Sequence, residues 1–422
     1  MYALVDCNSF FCSVEKVFHP GLDGKPVCVL SNNDGCIVAL TPEAKACGLH
    51  RGDPIFKVED IVRRYGVHIF STNMQLYAAM SQRVTNILRQ SIRHVENYSI
   101  DESFLDLRGY DRYYDPVELM RGVRERIRLC TDIPVSIGIA PSKTLAKMGS
   151  KYAKQYRGYQ GVCMIDTEEK RRKALEMFDL ADVWGIGRHT LARLNYHGIR
   201  TPLEFADRSE SWVKSILHRP GYQTWLELNG VACIDTSEVK RNQTICTSRS
   251  FGEMVGDLTS LRGSIAGFAS SCANKLRGQD SACRSVSVFI CSNRYREDLV
   301  QYGNMATERL HTATSDTLEI TDAAMRCLQS IYLPGVMYKK TGVILSDIVP
   351  ASPIQLSLFD PIDRRRERVE LMKSIDRINQ RYGVKTMSLA IEGRGHQAWH
   401  KKCEHRSPNY LTDLQDLLTI RI

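Results

Sequence analysis

The sequence predicts an α+β protein of several domains, and three observations carry that prediction. The first 165 residues alternate strand-like and helix-like stretches in the order β-α-β-β-α-β, the split unit of ferredoxin-like folds. Residues 166–235 carry helical periodicity, and residues 243–349 mix strands such as S-V-S-V-F-I-C with helices. At 422 residues the chain exceeds what a single core serves, so three or four units are expected.

Taken in order, Y-A-L-V-D-C is a short buried strand that ends at Asp6. Residues 21–73 are rich in turn signals (G-L-D-G-K-P, S-N-N-D-G) and form a small inserted lobe. A helix follows over 75–93, with Leu76, Met80, Val84, Ile87 and Leu88 on one face. Next comes V-E-N-Y-S-I-D-E-S-F-L-D-L at 95–107, a hairpin with its tight turn at or beside Asp101 and Glu102. A helix near 116–129, the strand P-V-S-I-G-I-A and a helix over 142–156 complete the unit. The helical stretch beyond it contains W-G-I-G-R-H-T-L-A-R-L-N-Y-H-G-I, and a polar linker follows at 236–242. The last seventy or so residues are poorer in strand signals. They hold Q-L-S-L-F-D and an Arg-rich helix at 364–381 carrying Val369, Met372, Ile375 and Ile378.

Composition excludes some classes of function. Hydrophobic content of 43% and charged content of 25% describe a globular protein rather than a disordered one. A formal charge of +9 suits a polyanionic partner without demanding one. Fourteen cysteines include no C-x-x-C pair, and Asp6 interrupts any N-terminal apolar run, so the thiols read as reduced, buried small hydrophobes. No apolar run approaches the ~18 residues that span a bilayer. A cytoplasmic protein without a membrane segment is expected.

Asp101 and Glu102 interrupt an otherwise apolar hairpin. Successive strand residues face opposite ways, so adjacent carboxylates share a site only where the chain turns. Taken alone, they read equally well as solvated turn residues. Asp6 ends a strand that neighbours this hairpin in a ferredoxin-like sheet, so three acids can converge at one end. Such a cluster is tolerable only with protons or cations, and oxygen ligands without His or Cys select Mg²⁺ over zinc. Two ions about 3.5–4 Å apart would suit phosphoryl transfer.

Seven ordered motifs carry a resemblance. They are D-C-N-S-F-F-C-S-V-E at 6–15, S-N-N-D-G-C-I-V-A at 31–39, E-A-K-A-C-G at 43–48, Y-S-I-D-E at 98–102, G-I-A-P-S-K-T-L-A-K at 138–147, W-G-I-G at 184–187 and S-R-S-F-G at 248–252. Over essentially its whole length the chain resembles the Y-family DNA polymerases, most closely their UmuC-like branch. The resemblance implies a right hand: a ferredoxin-like palm at 1–10 and 74–165, small fingers at 11–73, and a thumb with a helix-hairpin-helix at 166–235. After the linker at 236–242 come an α+β little finger at 243–350 and a tail at 351–422. The implied activity is template-directed, error-prone DNA synthesis across lesions in the SOS response, adding dNTPs to a primer 3′ end.

By the same resemblance Asp6, Asp101 and Glu102 are catalytic metal ligands, joined by the backbone carbonyl of Cys7. They hold two Mg²⁺ ions, for which Mn²⁺ can substitute. Phe11, with Phe10 beside it, falls at the sugar-selecting gate. Adjacent helical residues diverge by about 100°, so Phe10 also suits a core position. Lys45 and Lys154 match triphosphate contacts, and Cys36, Val38 and Gly52 match small residues over the nascent base pair. Pro42 departs from the family, several of whose members have a phosphate-binding Tyr there.

Lys143, Lys147, Lys151 and Lys154 recur on one helix face, which reads as a solvated stripe or, beside a triphosphate, as phosphate contacts. Lys147, Lys151 and Arg249, with Gly185 and Gly187 of the helix-hairpin-helix, are the expected DNA contacts. Gln355, Leu356, Leu358 and Phe359 resemble the peptide that engages the β sliding clamp; the alternative is a segment folded on its own core. The Arg-rich helix suits DNA, a protein partner or solvent equally. His396, His400, Cys403 and His405 hint at a metal, but their spacing favours polar surface residues. Further partners implied are a UmuD-type subunit and RecA, in a bacterial, nucleoid-associated setting. The rival readings are a nucleotide cyclase, which shares the palm and paired acids, and a catalytically inactive scaffold that binds clamp and DNA.

Overall fold

The computed structural model of the chain describes residues 1–236, 241–352, 365–393 and 402–418. They fall into two units, Met1–Val239 with Cys403–Ile422, and Lys240–Lys402.

In the first unit the β-α-β-β-α-β order holds, with the turn-rich lobe inserted after the first helix. The elements are β1 (Tyr2–Cys7), α1 (Phe10–Phe18), β2 (Val27–Leu30), β3 (Ile37–Leu40), α2 (Pro42–Ala46), α3 (Ile55–Tyr65) and β4 (His68–Ser71). They continue with α4 (Met74–Ser91), β5 (Val95–Asn97), β6 (Glu102–Asp106), α5 (Pro116–Thr131), β7 (Val135–Ala140), α6 (Lys143–Gln155) and β8 (Val162–Met164). Five strands form one sheet in the order β5-β6-β1-β7-β8, and the lobe has its own sheet, β3-β2-β4. Strand alternation on β1 sends Ala3, Val5 and Cys7 into one core and Leu4 into another. Being central, β1 is fixed on both sides, and so is the acid near its end.

Capping side chains start the helices where the sequence places them. Asp115 accepts from the Val117 and Glu118 amides, and Ser142 from that of Leu145. Pro42 has a local reason to be where it is. It stands at the first turn of α2 behind the Thr41 cap, the one helical position that suits a residue without an N–H.

Five short helices follow: α7 (Glu168–Met177), α8 (Arg188–Tyr196), α9 (Pro202–Ala206), α10 (Glu210–Ile216) and α11 (Arg219–Leu228). Fully buried Glu227 ties the last of them to the start of α6, accepting from the Thr144, Cys233 and Ile234 amides at 2.8, 2.8 and 3.1 Å. The second unit contains β9 (Ile245–Val255), α12 (Leu258–Gly278), β10 (Ser281–Cys291), β11 (Gly303–Thr314), α13 (Thr317–Ile331), β12 (Tyr338–Pro350) and α14 (Arg365–Tyr382). Its sheet is antiparallel, ordered β11-β10-β12-β9.

The C-terminal stretch does not behave as one tail. Helix α14 belongs to the second unit, where Arg277 grips Asp376 at 2.6 and 2.8 Å and Met372 is buried. Arg365 pairs with Glu319, and Arg368 with Asp316, at the start of α13. Those two arginines of the Arg-rich helix therefore hold the fold together. Residues from Cys403 onward belong to the first unit. Gln355, Leu356, Leu358 and Phe359, with His396 and His400, lie outside the described residues, as do 237–240 of the linker.

Candidate active site

Strand register puts the acids together. Asp6 stands directly opposite Glu102 across β1 and β6, and the carbonyl of Asp101 accepts from the Cys7 amide at 2.9 Å. The Ser99 hydroxyl builds the turn by accepting from the amides of Asp101 and Glu102 at 3.3 and 3.0 Å. Asp101 therefore lies in the turn and Glu102 at the strand start, which lets neighbours in sequence reach the same end of the sheet. The next turn is tight as well. Ser9 adopts a left-handed backbone (φ 45°), which costs roughly 1 kcal/mol or more for a residue other than glycine, and its hydroxyl bonds the Leu40 carbonyl at 3.0 Å.

The acids do not close into ligand geometry by themselves. Among the described residues no three His, Cys, Asp or Glu side chains stand close enough to hold one ion. Two of the three acids have a lysine within reach. Both oxygens of Glu102 accept from the Lys147 ammonium, at 2.7 and 2.9 Å, and Lys154 approaches Asp6 at 3.4 Å. Burial pushes the Asp6 carboxyl above the usual carboxylate range; Lys154 opposes this, and Glu102 and Asp101 push it further up. Such a group gains from added positive charge. The donor set fits a hard divalent cation: three carboxylates beside the main chain of Cys7, with no thiolate or imidazole in the cluster.

The lysine row of α6 is graded in exposure: Lys143 is buried, Lys147 half-buried, and Lys151 and Lys154 are exposed. Each member meets its own carboxylate: Lys143 with Glu96, Lys147 with Glu102, Lys151 with Asp182 and Lys154 with Asp6. Lys147 and Lys151, expected at DNA phosphates, line a cleft of about 330 Å³ with Asp6, Glu102, Lys154 and Trp184. The Lys147 ammonium lies over the rings of Tyr98 (4.7 Å) and Trp184 (5.5 Å), whose indole donates to the Tyr98 hydroxyl. Behind that indole Gly185 has φ +93°, and a Cβ there would stand 2.2 Å from Thr224 Oγ1, so glycine is required. Gly187 is the N-cap of α8 and stands open.

Phe11 and Phe10 separate as helical geometry demands. Phe10 is only 3% exposed, inside the core, so as a nucleotide contact it is displaced by its own burial. Phe11 is partly buried and stacks on Tyr77 at 4.5 Å and 16°. In the lobe, Lys45 is exposed on α2, Val38 lies on β3, and Cys36 bridges to Pro54. Gly52 needs its positive φ (+98°) to return its amide to the Ile37 carbonyl at 2.8 Å. Arg249 is exposed on β9 of the second unit.

Comparison with known proteins decides what this site belongs to. Residues 5–151 match the impB/mucB/samB family and residues 242–358 its C-terminal domain. Residues 370–420 match a domain of unknown function, DUF4113. UmuC of Salmonella typhimurium (strain LT2) is 39% identical over 423 residues, covering all of both chains. The chain belongs to the impB/mucB/samB family of Y-family DNA polymerases. ImpB of Salmonella typhimurium is 38% identical over all of both chains, and DNA polymerase IV of Oceanobacillus iheyensis is 26% identical over 90% of this chain and 88% of its own. Among solved structures, a Y-family DNA polymerase chimera aligns with 83% of this chain and 99% of its own, at TM-score 0.64 and 21% identity.

This Y-family polymerase is thus a DNA-directed DNA polymerase of SOS translesion synthesis, a family that uses divalent metal ions. No helix among its described residues is long and apolar enough to cross a membrane. Three features escaped the sequence reading: the pairing of Lys147 with Glu102, the Tyr77 shelf under Phe11, and buried Glu15 beneath it. Glu15 had a usable signal, a charge on the buried side of α1 among Phe10, Cys12 and Val14.

Proposed function

We propose that Asp6, Asp101, Glu102 and the carbonyl of Cys7 hold two divalent cations, Mg²⁺ in the first instance with Mn²⁺ as a substitute, for nucleotidyl transfer. The carrying observation is the register of Asp6 with Glu102 at the mouth of a lysine-lined cleft. Bound there, the cations activate the primer 3′ hydroxyl and neutralise the triphosphate. The 3′ oxygen bonds to the α-phosphorus and pyrophosphate leaves. Lys154 turns from Asp6 to the triphosphate, and Lys45 meets it from the fingers. Cys36, Val38 and Gly52 roof the nascent base pair with small groups, which restrain its shape weakly and suit damaged templates. In this reading residues 1–10 and 74–165 are the palm, 11–73 the fingers, 166–235 the thumb and 243–350 the little finger. Gly185, Gly187 and Arg249 then track the DNA backbone.

The test is primer extension during metal removal. Chelation abolishes extension and Mg²⁺ restores it; synthesis that persists under excess chelator sinks the proposal. Run with the clamp loaded, the same assay reads a second part: Gln355, Leu356, Leu358 and Phe359 engage the β clamp, and Ala at Leu358 and Phe359 removes its stimulation. Family membership supports a UmuD-type subunit and RecA as further partners, and the bacterial nucleoid as the workplace.

Phe11 places its ring where a 2′-hydroxyl would sit. Phe11→Ala therefore lowers discrimination between dNTP and rNTP by about a hundredfold or more, since a steric barrier is removed outright. Single-nucleotide insertion kinetics measure it, and unchanged discrimination moves the gate elsewhere.

A further inference from the structure

Residues 403–411 lie against the first unit along a path with several independent anchors. The backbone of Ser71, on the edge strand of the lobe's sheet, donates to the His405 carbonyl at 2.9 Å, and the His405 amide returns to the Ser71 hydroxyl at 2.9 Å. The Glu404 amide bonds Asp34 at 2.8 Å. Further along, Tyr410 stacks on Phe18 at 4.7 Å and 20°. Between these anchors Ser407 is buried, and its hydroxyl donates to Glu15 Oε1 at 3.0 Å.

That carboxylate is the end of a short chain of contacts. Glu15 Oε1 also accepts from the Tyr77 hydroxyl at 2.6 Å, and the Tyr77 ring carries Phe11. Glu15, Tyr77 and Asn73 are all fully buried. A second route runs through Asn73, which caps α4, the helix that carries Tyr77. Its side-chain amide donates to the Ser407 carbonyl at 2.9 Å, and its carbonyl accepts from Leu76 at 3.4 Å. Glu15 Oε2 has no hydrogen-bond partner among the described residues, so its orientation depends on the two donors to Oε1.

We propose that this C-terminal segment is a positioning element for sugar selection. Ser407 orients Glu15, Glu15 holds the Tyr77 hydroxyl, and the Tyr77 ring sets the plane of Phe11. The segment lies within the stretch matched to the domain of unknown function, to which it gives a role inside the polymerase. The inference rests on Phe11 being the gate. It makes Ser407 a positioning residue that touches no substrate.

The experiment measures kcat/KM for a dNTP and its matching rNTP in full-length wild-type, Ser407→Ala, Ser407→Thr, Phe11→Ala and Ser407→Ala/Phe11→Ala proteins. Loss of one buried hydrogen bond lowers discrimination about fivefold in Ser407→Ala, chiefly through faster rNTP insertion, while dNTP insertion stays within about twofold. Ser407→Thr keeps the hydroxyl and restores discrimination. In the Phe11→Ala background Ser407→Ala adds nothing, because both act through one ring. If Phe11→Ala lowers discrimination and Ser407→Ala leaves it unchanged, the positioning role falls and the gate stands. If Phe11→Ala itself changes nothing, the gate falls first. Equal losses for both nucleotides with a lower melting temperature make the segment a structural brace only, which also overturns the proposal.

Discussion

Asp101→Ala extends a primer about a thousandfold more slowly than the wild type at saturating Mg²⁺ and dNTP, yet melts at the same temperature. The two halves of this expectation come from different parts of the site. Asp101 lies in a turn whose backbone amides the Ser99 hydroxyl accepts, and its carboxylate makes one exposed bond there, accepting from that same hydroxyl at 2.5 Å, so the fold depends little on it. On the proposed ligand assignment its charge acts at the reaction, beside Asp6 and Glu102. Asp6 sharpens the contrast. Burial, with Glu102 and Asp101 nearby, pushes its carboxyl up, so the ionised form is held against the preference of the fold. A carboxyl whose folded value is raised weakens the fold progressively as pH climbs from its unfolded to its folded value, fully above the folded value and not at all below the unfolded one. Asp6→Asn is therefore expected to melt at or above the wild-type temperature while losing extension, a trade of stability for activity. Extension assays and thermal melts on the same preparations check both. Wild-type rates from either variant remove the ligand assignment.

How much of this was legible in the sequence follows from the range of each interaction. The hairpin at Y-S-I-D-E was readable because turns and strands are local, and the ferredoxin-like order then made Asp6 a neighbour of Glu102. The divergence of Phe10 from Phe11 was readable for the same reason, being a property of one helical turn. Partner choice was not. Lysines spaced three or four apart announce a helix face, but nothing local states that Lys147 meets Glu102 or that Lys151 meets Asp182. The division of the C-terminal stretch was equally hidden, since Ser407 and Glu15 are 392 positions apart and meet only through the tertiary fold. Pro42 looked like a lost triphosphate contact, and the fold adds a reason internal to α2 for its presence.

The close seating of α6 on β7 is the least forgiving contact around the site. Gly138 pairs with Leu4 of β1, and α6 crosses directly above it. A Cβ on Gly138 would lie 2.0 Å from the Ala146 carbonyl oxygen and 2.1 Å from the Ser150 amide. Both are backbone atoms of a packed helix, so no side chain can swing aside. The helix itself would have to lift, taking with it the bond from Ser150 to the Ser136 carbonyl and the cation row of Lys147, Lys151 and Lys154. Gly138→Ala is therefore expected to cost more than about 3 kcal/mol, at the upper end for overpacking by one methyl group. Gly149, on the other side of the same crossing, tests the geometry more gently. Its Cβ would meet Gly138 Cα at 3.1 Å and the Cys163 carbonyl at 3.2 Å, distances that a shift of a few tenths of an ångström relieves. Thermal melts should therefore rank Gly138→Ala far below Gly149→Ala, and Gly149→Ala modestly below the wild type. A Gly138→Ala protein that melts like the wild type would mean that α6 does not sit on β7 at this distance. The lysines would then be free to stand elsewhere than over Asp6 and Glu102.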